Sequence, residues 1–182
     1  MLRLARILTI AGALLGVAIP ALGASATAAT KPATTKKPAT TKPATVVSRH
    51  LWATVDACNP PDRKNMVGIR GSMPGTGRKD EKMYMRFRMQ YESDGTWRYI
   101  GSSADTGFRL VGAATFKARQ SGFYFSIPPV TGTSYVVRGV VNFEWRKSTK
   151  VELRAQDDTT AGHISVAGAD PKGYSAAACK LS

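Results

Sequence analysis

The chain has 182 residues, and its 26 Lys and Arg outnumber its 12 Asp and Glu, giving a formal net charge of +14. Such a charge favours solubility and anionic partners such as wall polymers, lipid head groups or nucleic acid. Two histidines and two cysteines leave little for a zinc centre, which needs three or four ligands at suitable spacing.

The chain opens with the basic segment Met1–Arg6, the apolar run Ile7–Ile19, Pro20, and the small residues Ala21–Ala26. A basic start, a short apolar stretch and an A-x-A-like site define a secretory signal peptide. The best cleavage point follows Ala26, with a second choice after Gly23. The run is shorter than the roughly 18–20 residues that span a bilayer, so cleavage is expected over retention as an anchor. No later stretch is long and apolar enough to span, so no transmembrane helix is expected after processing. Residues 27–47 then repeat Lys-Pro-Ala-Thr, at Lys31, Lys37 and Lys42. Such a segment cannot bury enough apolar surface to offset the entropy of ordering, so it reads as a disordered, semi-stiff spacer. Its four lysines make it a cationic tether, and its threonines would suit a glycosylated stalk.

Six of the 26 basic residues precede residue 48 and all twelve acids follow it, so residues 48–182 carry a net +8. Export argues against nucleic acid as the physiological partner, although weak binding to DNA at low salt would follow from charge alone. The two cysteines, Cys58 and Cys179, are expected to form a disulfide in an exported protein, joining the first strand to the last. A metal pair or a reactive thiol is the alternative.

In chain order, Leu51–Cys58 predicts a strand whose Trp52 and Val55 face inward on some twist or bulge, ended by Asn59-Pro-Pro-Asp62. Met66–Met73 predicts the second, closed by Pro74–Gly77. Alternation predicts the third: Met83, Met85, Phe87, Met89 and Tyr91 on one face, Tyr84, Arg86, Arg88 and Gln90 on the other. After the Ser93-Asp-Gly turn, Thr96–Ile100 returns as a hairpin partner that sets Trp97 or Tyr99 beside the third strand. Phe108–Val111 reads as a short strand, Thr115–Arg119 is ambiguous, and Gly122–Ile127 is a strand stopped by Pro128-Pro129. The longest is Tyr135–Trp145, with an apolar odd face and a mixed, mostly solvated even face carrying Arg138 and Arg146. Lys150–Arg154 follows, then a polar surface excursion over 156–173, and Tyr174–Cys179 as the last strand. Short strands with turn signals every 8–12 residues or so predict an all-β sandwich.

The third strand with its glycine turn and Trp97, followed by Ile127-Pro-Pro and Tyr135-x-Val-x-Gly-x-Val, resembles the C, E and F strands of a fibronectin type III or immunoglobulin-like domain. The resemblance covers roughly residues 48–155. It implies an antiparallel β-sandwich and gives Tyr135 the place of the tyrosine that bonds back to the E–F corner. Two departures stand out: Cys58 and Cys179 are not at the antibody-type disulfide positions, and the excursion from Gln156 to Cys179 lies beyond the usual final strand. The whole is similar to small exported bacterial immunoglobulin-like proteins of unknown function, and this implies no catalytic residues.

Chemistry-bearing residues are sparse. His163 with Asp157 or Asp158 and a serine would be needed for a nucleophilic triad, and no nucleophile-elbow sequence accompanies them. Asp157, Asp158 and Asp170 fall short of the six or more oxygens of a calcium site, and a solvated acidic turn is the expectation. The most suggestive pattern is Arg86, Arg88 and Arg98 with Tyr84 and Tyr99 nearby, a row suited to carboxylates, phosphates or a stacked sugar. A solvated outer sheet face is the plainer reading. The expectation is therefore a secreted or envelope-held, non-catalytic binding or structural module, contacting an anionic or carbohydrate polymer or another envelope protein. It is expected to be a monomer without cofactor or metal. An exported hydrolase with its site in residues 156–173 is the alternative.

Overall fold

The computed structural model describes residues 48–127 and 132–182; the leader, the tether and the Pro128-Pro129 strand stop lie outside them. Among the described residues nine strands run β1 Trp52–Cys58, β2 Met66–Pro74, β3 Glu81–Ser93, β4 Thr96–Tyr99, β5 Arg109–Ala113, β6 Ala118–Ser126, β7 Tyr135–Lys147, β8 Lys150–Asp158 and β9 Cys179–Leu181. They form two antiparallel sheets packed as a β-sandwich. One sheet is ordered β1-β2-β6; the other is β4-β3-β7-β8, with β5 also beside β3 and β9 also beside β7. The second sheet is thus six strands in four positions, because β4 and β5 share one outer track and β8 and β9 the other. The ambiguous segment Thr115–Arg119 divides into a turn and the start of β6.

The alternation read from β3 is what makes the core. Met83, Met85, Phe87 and Met89 are fully buried and meet Phe143, Trp145, Val137 and Val141 of the central β7. From the facing sheet come Ala53, Val55, Val67, Ile69, Met73 and Phe125. Unbranched methionines conform to irregular gaps, which suits the three of this row that face the rigid rings of Phe143 and Trp145. Trp145 Nε1 donates to Pro74 O at 2.8 Å, so the largest buried ring leaves no unpaired donor. Gly139 is required by close approach: an added Cβ would lie 2.6 Å from Ile69 Cδ1 and 2.8 Å from Thr159 Cγ2.

Three expectations are corrected. Trp52 does not enter the core. The β1 register shifts between Val55 and Ala57: Ala53 and Val55 face the core, Ala57 opposite Gly68 falls on the strap side, and Trp52, out of phase with Val55, stacks on His163 at 4.6 Å between ring centroids. Residues 174–178 are not a strand. They touch β1 through one bridge, Val55 to Ala176, and ladder pairing begins at Cys179, whose partner is Val137. The 156–173 segment is also not a free excursion: Gln156–Asp158 belong to β8, and residues 159–178 form a strap over the outer face of the three-stranded sheet. Thr54 Oγ1 meets Ser175 Oγ at 2.8 Å, Gln120 Nε2 donates to Ser165 O at 3.1 Å, and Tyr124 donates to Gly168 O at 3.0 Å. Beneath the strap, Asp56 is buried against Arg70 at 2.9 Å, and burial raises its pKa despite that partner.

The disulfide is present. Cys58 and Cys179 are bonded across 121 residues of sequence with their Cα atoms 5.4 Å apart, tying the end of β1 to β9. Closing a loop this long stabilises by about 5 kcal/mol on chain entropy, with delivered values nearer 2–4 kcal/mol.

A candidate binding face on the six-stranded sheet

Because the strap covers one sheet, the face built by the even residues of β3, β7 and β8 is the broad sheet surface left open. Pairing sets these residues in rows. Tyr84, Glu144 and Arg154 lie side by side, then Arg86, Asn142 and Gln156, then Arg88, Val140 and Asp158, then Gln90 and Arg138. On the flank, β4 sets Tyr99 opposite Gln90 and Trp97 opposite Glu92. The loop between β4 and β5 continues that track. Thr106 N donates to Phe87 O at 3.0 Å, and Arg88 bridges Asp105, which places Asp105 and Phe108 over the face.

Arginines and aromatic rings alternate along this surface. Arg146 lies over Tyr84 at 4.3 Å and over Phe108 at 4.8 Å, Arg88 over Tyr99 at 4.2 Å, and Arg138 over Trp97 at 4.5 Å. Stacking of this kind contributes about 0.5–1 kcal/mol at exposed sites and more when desolvated. It also explains why the even face of β7 is not mostly solvated as expected: Val140 and Glu144 are buried beneath the arginine stems.

Most of these cations have acidic partners. Arg86 grips Asp105 with Nε and Nη2, and Asp105 also accepts from Gly107 N. The Arg86 bond holds the Asp105 carboxyl below its usual range and raises the guanidinium in turn. Glu144 accepts from Arg146 at 2.7 Å and Arg154 at 2.9 Å, and Arg138 pairs with Asp158 at 2.9 Å. Arg88 differs. Among the described residues it forms no ion pair, although its charge helps hold the nearby Asp105 carboxyl down; its Nη2 reaches Gln156 Oε1 at 3.3 Å, and its buried Nε has no hydrogen-bond partner. Gln156 Oε1 also accepts from Asn142 Nδ2 at 2.9 Å, while Asn142 Oδ1 is buried without a partner. Beside this trio lies a hollow of about 210 Å³, lined by Phe108, Asn142, Glu144, Arg154 and Gln156. Aromatic ring, amides, carboxylate and guanidinium together can stack on and hydrogen-bond a polar ligand.

Of the row expected from sequence, Arg86, Arg88, Tyr84 and Tyr99 share this face. Arg98 does not: it pairs with Tyr91, whose parity is that of the core face, so it projects to the other side of the hairpin. Sequence reading did not find Asn142, Gln156 and Arg154, although even parity on β7 and β8 carried the signal. Asp105 and Phe108 come from a loop, where no periodicity marks them.

The late segment disperses its candidates. Asp158 is held by Arg138 and Asp170 by Arg63. His163 Nε2 is 2.8 Å from Thr160 Oγ1, and the His163 backbone N–H donates to Ser175 Oγ at 3.0 Å. Burial lowers the His163 pKa, with Asp157 opposing, and burial then Asp158 raise that of Asp157. No hydrogen bond joins His163 to Asp157 among the described residues. Compared with known proteins, the chain matches no family model, no curated protein and no solved structure.

Proposed function

We propose that this protein is a non-catalytic binding module working at the cell envelope or outside it, and that the open face of the six-stranded sheet holds an anionic or carbohydrate polymer. The observation that carries the reading is Arg88, a guanidinium that forms no ion pair among the described residues, in the middle of a face whose other arginines are paired. The adjoining hollow, with Phe108 to stack on a sugar ring and amides to meet its hydroxyls, supports a glycan bearing carboxylates or phosphates. The leader-like start of the chain and the Cys58–Cys179 bond support export to an oxidising compartment. The strand orders β1-β2-β6 and β4-β3-β7-β8 support kinship with immunoglobulin-like and fibronectin type III sandwiches, with Tyr135 opening the F-strand analogue.

Sedimentation with purified cell wall across a salt series tests this. Arg88→Ala should weaken binding about tenfold or more, as loss of one charge-assisted contact implies, and added salt should weaken wild type. Retention indifferent to salt and to Arg88→Ala would sink the reading. A hydrolase centred on residues 156–173 is the second reading, favoured by the Thr160–His163 contact. It requires turnover of an ester or wall substrate that His163→Ala abolishes with the fold intact.

A further inference from the structure

One end of the sandwich is built from three turns packed on one another: residues 75–80 between β2 and β3, residues 114–117 between β5 and β6, and Ser148–Thr149 between β7 and β8. Gly75 N donates to Lys117 O at 3.1 Å, Gly77 N to Ala114 O at 2.9 Å, and Ala114 N to Glu81 O at 3.0 Å. Lys147 Nζ reaches Asp80 at 2.7 Å and ties in the third turn. A Cβ on Gly75 would collide with the backbone oxygens of Phe116 and Ala114, so the first two turns meet at backbone contact.

This end is unevenly charged. Arg78, Lys147 and Lys150 have acids in Glu81, Asp80 and Glu152. Among the described residues, Lys79, Lys82, Lys117 and Arg119 have none. The opposite end is nearly balanced, with Arg63, Lys64, Arg98, Lys172 and Lys180 against Asp62, Glu92, Asp94 and Asp170. At the tip of the charged end, Phe116 is 48 % exposed, with the Arg119 guanidinium 3.8 Å from its ring. The chain enters the domain here too: Trp52 at the start of β1 lies opposite Ser72, two residues before β2 ends.

We propose that this end docks on an anionic lipid surface, with Phe116 among the head groups and the four unpaired cations above them. Lysines and arginines extend their stems over apolar surface while their charges stay at the interface, and aromatic rings favour that same depth. A soluble polyanion would use the cations but gain little from an exposed phenylalanine, so Phe116 is the feature that selects a bilayer. Of the residues it uses, Lys82 stands on the even face of β3, one row beyond Tyr84 and opposite Arg146; Lys79, Phe116, Lys117 and Arg119 lie off the open sheet face.

The test uses residues 27–182, because the apolar leader would bind vesicles by itself and both sheets, the core and the disulfide lie within residues 48–182. Sedimentation is measured with phosphatidylcholine vesicles, with vesicles containing phosphatidylglycerol, and with heparin as a soluble polyanion. Each lysine near an anionic surface is expected to contribute on the order of fivefold, so Lys79→Glu, Lys82→Glu and Lys117→Glu together should weaken vesicle binding by about 100-fold or more. Phe116→Ser should weaken vesicle binding and leave heparin binding unchanged. Arg88→Ala should bind vesicles as wild type does, which separates this surface from the sheet face. Wild-type vesicle binding by the triple variant overturns the proposal. So does an equal effect of Phe116→Ser on both ligands, or none on either, with thermal unfolding unchanged.

Discussion

Arg86 and Arg88 are neighbours on one face of one strand, yet they should behave oppositely when removed. Arg86→Ala deprives Asp105 of both its guanidinium contacts and leaves it only the Gly107 N–H at 2.9 Å. The Asp105 side chain is 20 % exposed and that of Arg86 35 %, so the pair lies between two limits. Exposed pairs contribute about 0.2–1 kcal/mol, and breaking a fully buried pair costs about 3–5 kcal/mol. Discounted for the partial exposure of Arg86, the expected loss is about 1–2 kcal/mol, or roughly 4–7 °C in Tm for a domain of this size. Arg88→Ala gives up a stack on a half-exposed ring and one long hydrogen bond, which should come to under about 1 kcal/mol. The assay is thermal unfolding of the two single variants and of Asp105→Asn with Arg86→Ala, from neutral pH downward. Asp105 has its folded pKa depressed by Arg86, so the pair's contribution is present above the usual carboxylate value, about 4. It is lost as pH falls through the depressed folded value. The deficit of Arg86→Ala should therefore shrink below about pH 4. Arg88→Ala as destabilising as Arg86→Ala, or a deficit in the latter that persists in acid, would refute the division of labour between them.

Other outcomes follow from the packing. Gly139→Ala should destabilise by about 1–3 kcal/mol, because the added methyl meets Ile69 and Thr159 with no slack; circular dichroism melts check it, and a neutral result would mean that the two side chains can shift. Replacing Cys58 and Cys179 by Ser should cost about 2–4 kcal/mol, measured by urea unfolding, and native protein should show no thiol to alkylating reagent until reduced. His163 has its folded pKa lowered by burial, so stability should fall as pH drops through the unfolded histidine value, about 6.5, with the loss complete below the folded value. Asp157, raised by burial, works in the opposite sense at lower pH, and comparison with His163→Gln isolates the histidine contribution.

The legibility of the chain varies with how local the signal is. β3 and β7 were readable because their alternation is strict, and the same parity separates Met85 in the core from Arg86 on the open face. What parity does not give is the partner. Arg98 looked like a member of the arginine row, but the β3–β4 register sets it against Tyr91, and a one-residue difference moves a side chain to the opposite face. Trp52 differs from expectation for a related reason: the bulge falls after Val55, so alternation from Trp52 to Val55 is unbroken and sets the two on opposite faces. The 159–178 strap carries no periodicity at all. Its order comes from contacts with β1 and β6 more than 40 residues away in sequence, such as Gln120 with Ser165 and Tyr124 with Gly168.

The strap also bears on how the two sheets divide their work. A sandwich has two outer faces, and a polymer needs an open one. Here the three-stranded sheet has its outer polar groups engaged internally: Thr54 by Ser175, Tyr124 by Gly168, Asp56 by Arg70. The six-stranded sheet engages its own groups differently, by setting arginines over rings and against acids on the same surface. That arrangement stiffens long side chains that would otherwise lose rotamer entropy on binding a ligand. Arg88, stacked on Tyr99 but in no ion pair among the described residues, is held in place and still has its charge to offer. Tyr99→Ala should therefore weaken wall binding through Arg88 even though no ligand need touch the ring. If the double variant with Arg88→Ala binds no worse than Arg88→Ala alone, the ring acts by positioning the guanidinium. Independent losses that add would instead make Tyr99 a contact in its own right.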